Sequence, residues 1–402
     1  MKIGAIVVIG IVFILNSASI GIACTGFTAS DENKVLVGSN EDSFNTRRYV
    51  EIYPPEEGIF GKIFFCYERA YCQQAMNNQG LFYDGFWAPH LDIQKGEGKP
   101  APPDGWMIDD WMNTCSTVDE VIESYESYDW RDSGIEDAML FFVDRQGNSA
   151  IIEGDEIVYK EGSYQAVTNF YQTNPELGGF GFDRYDTAVD MLENMDDFSM
   201  EYFRDICDAT HQEYASATTI YSLVCDLTQN VIHYYYQYNY ENVWEIDLNE
   251  LFEYGIQTYD VLDVFNNHEP SKPNKPIGPN TGSINKEYEF SSRALDVDGD
   301  QMFYKWDWGD GNNSEWLGPY DSGELCHSSY SWSEKGEYSI RVKARDTNTG
   351  KSDWSDPLSV TMPKSKPCND RPSLGFLQSI IERFPLLTRL LQPVFNRFPN
   401  LQ

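Results

Sequence analysis

The residue best equipped for chemistry is Cys24. It follows Gly21-Ile22-Ala23, a small-x-small triplet suited to signal-peptide cleavage, and an apolar run from Ile3 to Leu15 lies ahead of it. Removal of residues 1–23 would leave Cys24 as the N-terminus, with a thiol and a free α-amine on one residue. The amine titrates near ~8 and the thiol near ~8.5, so each is partly in its useful form at neutral pH. The amine can take the thiol proton, the thiolate can attack a carbonyl carbon, and the ammonium can return the proton to a leaving amine. No histidine is needed, and the five histidines are scattered with no HxxxH pair. Two plainer roles fit the same junction: a half-cystine of an exported domain, or a lipid-acceptor cysteine. Gly21 argues against the second, because a lipobox has an aliphatic residue there.

Three further residues are candidates to serve that sulfur. Asp42 closes the run Ser39-Asn40-Glu41-Asp42. Strands at Cys24 to Ser30 and Lys34 to Gly38 around the turn Asp31-Glu32-Asn33 form a hairpin, which brings the acidic run back beside Cys24. Asp42 can then accept a hydrogen bond from the α-amine. Asn169, in Val167-Thr168-Asn169, offers a neutral amide to a developing oxyanion. Arg184 follows the glycine-rich stretch Gly178-Gly179-Phe180-Gly181 and can orient a carboxylate or set the local field. The ordinary alternatives are a solvated acidic strand end and a turn asparagine.

The elements that must position these residues alternate in type. Lys62 to Tyr67 and Leu81 to Trp87 read as strands. Thr117-Val118-Asp119-Glu120 is a capping box opening a helix to about Tyr128. Met139 to Val143 and Ala150 to Glu153 form a hairpin, as do Thr218 to Cys225 and Val231 to Tyr238, with helices at Arg184 to Met195 and Ser199 to His211 between them. This is an α+β arrangement of stacked antiparallel sheets with helices outside. Proline-rich linkers at Asn266-Asn267-His268-Glu269-Pro270-Ser271-Lys272-Pro273-Asn274-Lys275-Pro276 and Pro363-Lys364-Ser365-Lys366-Pro367 divide the mature chain into 24–265, 274–363 and 364–402.

A net charge of −35 argues against nucleic-acid or anionic-membrane binding by the body of the protein. The first apolar run is too short to span a bilayer comfortably, so export with cleavage is favoured over anchoring. Eight cysteines in an exported chain suggest disulfides. Cys66 with Cys72, Cys207 with Cys225 and Cys326 with Cys368 are conceivable pairs, and connectivity stays open. No CxxC pair and no histidine cluster points to zinc.

Taken in order, Cys24-Thr25-Gly26-Phe27, Gly38-Ser39-Asn40-Glu41-Asp42, Met76-Asn77-Asn78-Gln79-Gly80-Leu81, Val167-Thr168-Asn169 and Thr219 to Asp226 resemble the choloylglycine hydrolase and penicillin V acylase group of N-terminal-nucleophile (Ntn) hydrolases. The resemblance covers about 24–250. It implies a four-layer αββα sandwich that cleaves linear carbon–nitrogen amide bonds without a cofactor. It implies Cys24 as nucleophile and base, Asp42 as partner of the amine or thiol, Asn169 in the oxyanion hole and Arg184 as an active-site arginine. Asn40, within the matching motif, and Trp87 are expected to face the substrate. Ser39 stands where the family has an arginine, so one cation favouring the thiolate is missing unless Arg47 or Arg48 replaces it. The second oxyanion asparagine of the family falls near Trp87, which cannot take the same role unchanged. The Asn-Glu-Asp triplet also occurs in a related family of Ntn cysteine dipeptidases.

Leu295-Asp296-Val297-Asp298-Gly299-Asp300, Trp306-Asp307-Trp308-Gly309-Asp310-Gly311 and Val342-Lys343-Ala344-Arg345-Asp346 resemble a PKD-type repeat, an all-β immunoglobulin-like sandwich of extracellular proteins. Asp296, Asp298 and Asp300 lack the spacing of an EF-hand and read as turn residues. The last segment is amphipathic, with six Lys/Arg against two Asp/Glu, and can lie on a membrane surface or dock on a partner. The expectation is a secreted or cell-surface amide hydrolase for a small-molecule substrate. The alternatives are a dipeptidase, an acyltransferase, or a non-catalytic adhesion or scaffold protein.

Overall fold

The computed structural model describes residues 24–363 except 45, 69–70, 104–106, 132 and 215–216. The expected leader, 1–23, and the basic tail, 364–402, lie outside the described residues. Contacts divide the chain into a unit ending at His268 and a unit beginning at Glu269, with the short stretch Thr347–Gly350 grouped with the first.

The first unit is mostly β with few helices. One sheet runs, in spatial order, Tyr164–Val167, Thr25–Ser30, Val35–Ser43, Ala217–Asp226, Val231–Tyr236 and Val243–Asp247, with Glu213–Tyr214 added to Ala217–Asp226. The other runs Gln257–Asp260, Tyr49–Tyr53, Lys62–Glu68, Tyr71–Asn77, Phe82–Trp87, Ala138–Val143, Ser149–Glu153 and Glu156–Tyr159. The two-residue period of a strand sorts side chains between faces. Val35 and Val37 join Val50, Ile63, Phe65, Phe141 and Leu223 in a core fed by both sheets. Leu36, between the two valines, faces the opposite way. It packs with Phe27, Leu192, Phe203 and Ile206, the last three from helices Phe182–Glu193 and Met200–Thr210.

On the other sheet, Phe64, Tyr83 and Phe142 pack against Trp111, Val121 and Tyr125 of helices Met107–Thr114 and Val118–Glu126. The capping box forms as expected. Thr117 accepts from the Glu120 amide, and the Glu120 side chain reaches back to the Thr117 amide.

Cys66 and Cys72 form a disulfide across a hairpin. Cys207 and Cys225 remain free thiols. The reason is sidedness: Cys225 belongs to the core between sheets, whereas Cys207 belongs to the helix-covered outer face, and a disulfide needs the two Cβ vectors to converge. Cys326 is also a buried free thiol, and its conceivable partner Cys368 lies outside the described residues.

The second unit has a four-stranded sheet, Leu317–Tyr320, Met302–Asp307, Gly336–Asp346 and Leu358–Met362, and a two-stranded one, Tyr288–Ser292 with Cys326–Tyr330. Trp306 and Trp308, two residues apart, both turn into the core, where Trp308 stacks on Trp306 at 5.4 Å and on Tyr330 at 4.6 Å. Asp307 between them points out and pairs with Arg341. Asp296 Oδ1 accepts the backbone N–H of Asp298 and Asp300, the behaviour of a turn residue.

Candidate active site

Cys24 sits just before the first strand, and the hairpin register determines its neighbour. Ser30 lies opposite Val35 and Thr25 opposite Asn40, so one further step sets Glu41 across from Cys24. Opposed residues in an antiparallel pair share a face. Accordingly the Cys24 Sγ donates to Glu41 Oε2 at 3.2 Å. Asp42, one position on, belongs to the other face and does not hold the Cys24 nitrogen as expected. That nitrogen, which leader removal would turn into the α-amine, donates instead to Asn169 Oδ1 at 2.7 Å.

Asn169 is placed by two constraints. Its Nδ2 donates to the Trp87 carbonyl at 2.9 Å, so the amide expected to serve an oxyanion is engaged with backbone here. Its own carbonyl accepts from the Phe180 amide at 3.2 Å. Gly179 makes that approach possible. Its φ is +112°, and a Cβ there would lie 2.3 Å from the Asn169 oxygen.

Arg184, two residues into its helix, is buried and ties the site together. Nη1 donates to the Cys24 carbonyl at 2.9 Å and to Thr25 Oγ1 at 2.5 Å, and Nη2 reaches Asn169 Oδ1 at 3.4 Å. Asp42 Oδ2 lies 3.5 Å from Nη1. Asp42 also accepts from Thr219 Oγ1 at 2.5 Å and from Gln212. Asp42 thus holds the arginine that holds Cys24.

Asn40 is fully buried. Its Nδ2 donates to the Cys207 carbonyl at 2.9 Å and to Thr210, and its Oδ1 accepts from Ser222, all beneath the helix Met200–Thr210. Trp87 is 39% exposed and stacks on Phe180 at 5.4 Å, an aromatic wall beside the Asn169 loop. Arg47 is on the surface with Asp260. Arg48 is buried over the Tyr221 ring, and its charge acts on Glu41.

Sequence reasoning passed over Glu41, Gln73, Gln74 and Asp84. Counting register from the turn would have flagged Glu41. Nothing local flags Gln73 and Gln74, because a bulge in the strand pairing falls between Phe65–Gln74 and Cys66–Cys72, and Asp84 reaches the site through its place opposite Gln74. The Gln73 amide donates to the Glu41 carboxyl. Gln74 Nε2 donates to Ser39 Oγ at 2.6 Å, which donates to Asp84 Oδ2 at 2.5 Å.

The electrostatics are those of a buried acidic cluster. Burial pushes the Cys24 thiol well above its ordinary value, and the Glu41, Asp42 and Asp84 carboxylates push it further, opposed by a hydrogen bond from the Asp42 backbone. Burial raises Glu41 to about 8 against the pull of the Arg48 charge. Burial also raises Asp42 to about 6, against Arg184, and Asp84 to about 7, against bonds from Ser39 and Gln74.

Residues 275–356 match the PKD domain family, so the second unit contains a PKD domain. A solved PKD domain of an M14-like peptidase from a Thermoplasmatales archaeon is 43% identical, over 24% of this chain and 99% of that one, with a TM-score of 0.23. A penicillin V acylase from Agrobacterium tumefaciens is similar at 15% identity, over 59% of this chain and 92% of that one, with a TM-score of 0.47. A CARDB domain from Pyrococcus furiosus is 16% identical over 23% of this chain and 96% of that one, with a TM-score of 0.16. No curated protein matches the chain.

Proposed function

We propose that the first unit is an N-terminal-nucleophile cysteine hydrolase that cleaves a linear carbon–nitrogen amide bond through a thioester at Cys24. One observation carries the reading: the nitrogen and the sulfur of the same residue each have their own buried polar partner, Asn169 and Glu41, while Arg184 holds its carbonyl. The ordered motifs support it. So does the succession of helices, sheet, sheet and helices, which fits a four-layer αββα Ntn sandwich.

Export frees Cys24 of residues 1–23. Sγ then attacks the substrate carbonyl, and the Asn169 amide exchanges the Trp87 carbonyl for the oxyanion. The amine product leaves with a proton, and water resolves the thioester. An amine in place of water makes the same site an acyltransferase. The PKD domain supports an extracytoplasmic location, and the basic tail is proposed to hold the protein at the cell surface.

Cys24→Ala and Cys24→Ser should abolish turnover of an acyl-amide panel with circular dichroism unchanged; full turnover in Cys24→Ala rejects the mechanism. A second reading, a non-catalytic scaffold, draws on the complete burial of Cys24 and its raised thiol. Mass spectrometry of the mature N-terminus separates the two, since only a free-amine Cys24 serves the enzyme.

A further inference from the structure

Building on the cysteine chemistry proposed above, we infer that the site takes amides whose acyl group carries an ammonium on its first or second carbon, held by Asp84 and Glu41. The α-amine of Cys24 remains the proton acceptor, and the two acids serve recognition.

The first support is a balance of charge. Glu41, Asp42 and Asp84 all act on the Cys24 sulfur. Arg48 answers Glu41, and Arg184 answers Asp42. His211 also acts on Asp42 and is itself paired with Asp208 and Glu213. Asp84 has no such partner: among the described residues, the groups that bond it are Ser39, Gln74 and the Gly85 amide. Passing the thiol proton to the α-amine moves charge within Cys24 and leaves the sum unchanged. With nothing bound, Asp84 relieves the imbalance by holding a proton up to about pH 7. A ligand ammonium takes that proton's place, whereas an anionic group beside these acids would be repelled.

The second support is unmet hydrogen-bonding capacity. Gln74 Oε1 and Asp84 Oδ1 are closed from solvent and make no hydrogen bond of normal geometry, although the Gly85 amide lies near enough to act on the Asp84 carboxyl. Both side chains are fully buried and stand opposite each other on paired strands. The Ser39 hydroxyl beside them already donates to Asp84 Oδ2. Buried acceptors without donors are costly, and an alkylammonium carries three N–H donors.

Direction assigns the cation to the acyl side. The carbon under attack bears sulfur, oxygen, nitrogen and the acyl carbon. The oxygen faces the Asn169 amide in the proposed reaction. The leaving nitrogen faces the α-amine that protonates it, which Asn169 Oδ1 holds. The acyl carbon takes the remaining direction, toward Glu41, whose Oε2 lies 3.2 Å from Sγ. Ser39 and Glu41 share one face of the strand Val35–Ser43, and Gln74 and Asp84 meet Ser39 from the other sheet.

Mature protein is assayed on isosteric pairs of p-nitroanilides, glycyl against propionyl and β-alanyl against butyryl, in which an ammonium replaces a methyl. The cationic member of at least one pair should have a kcat/KM about 10²-fold higher. Asp84→Asn keeps the shape and removes the charge, and should bring that ratio close to parity. Glu41→Gln carries the same expectation if Asp84→Asn does not fold. Parity or preference for the apolar member in wild type overturns the inference, and so does a ratio that Asp84→Asn leaves intact. Binding is read without turnover by calorimetry on mature Cys24→Ala protein, where the cationic anilide should bind about tenfold or more tightly than its apolar twin. A wild type that cleaves neither pair while Cys24→Ala still selects the cation faults the hydrolase reading alone. Absence of selection in both assays overturns the inference.

Discussion

At the scale of single residues, the candidate site is a set of buried charges whose protonation states bear on stability and on the proposed chemistry. Asp84 shows the sign. Its folded value of about 7 exceeds an unfolded value near 4, so the stability it contributes is full below about pH 4 and is lost as pH rises through about 7. Each pH unit of retained protonation is worth about 1.4 kcal/mol. The melting temperature of Asp84→Asn should therefore be flatter between pH 4 and 8 than that of the wild type, read as the difference between two calorimetric series. The net charge of −35 destabilises both at high pH and nearly cancels in that difference. Arg184 supports a second expectation. Its fork spans Cys24, Thr25, Asn169 and Asp42, which a lysine point charge cannot do. Misplacement by about 1 Å is enough for a loss near 10²-fold. Arg184→Lys should fold normally and lose about that much in kcat.

At the scale of elements, the hairpin and the glycine-rich turn are the positioning devices. Gly38 lies across from Phe27, and a Cβ there would meet the Phe27 ring at 2.2 Å, so the pairing that brings Glu41 to Cys24 needs a bare backbone. Gly179→Ala should cost about 1–2 kcal/mol from its positive φ alone, and should lower turnover as well by displacing Asn169. Thr117→Ala is the contrasting control: it removes the cap of a helix packed on the far sheet, and should cost about 1 kcal/mol with kcat unchanged. Urea melts and steady-state rates on the three proteins check the pattern. Strands with clear alternation or apolar runs, such as Met139 to Val143, were legible in the sequence. Tyr71–Asn77, with Gln73 and Gln74 at its centre and a bulge in its pairing, was not, because its polar side chains serve the interior of a site.

At the scale of the whole molecule, the two units have separate cores. The tryptophan stack of Trp306, Trp308 and Trp332 closes within the second unit. A fragment of residues 269–363 should therefore unfold cooperatively by itself, with its tryptophan fluorescence and far-UV circular dichroism changing together. Non-coincident transitions would argue against an independent unit. The stretch 266–276 is a change of composition in the sequence, and the contact division falls within it.

The chain alone determined the features that rest on local chemistry: the small-x-small junction before Cys24, the turn that makes the first hairpin, the capping box at Thr117, and the Trp-Asp-Trp-Gly-Asp-Gly run of the PKD domain. Only the tertiary structure decided which acid meets the sulfur and which amide meets the nitrogen. The physical reason is reach and sidedness. Neighbouring residues of a strand point to opposite faces, so Glu41 and Asp42 separate into different environments, and Asn169 arrives from 145 positions away through sheet pairing that no local pattern specifies.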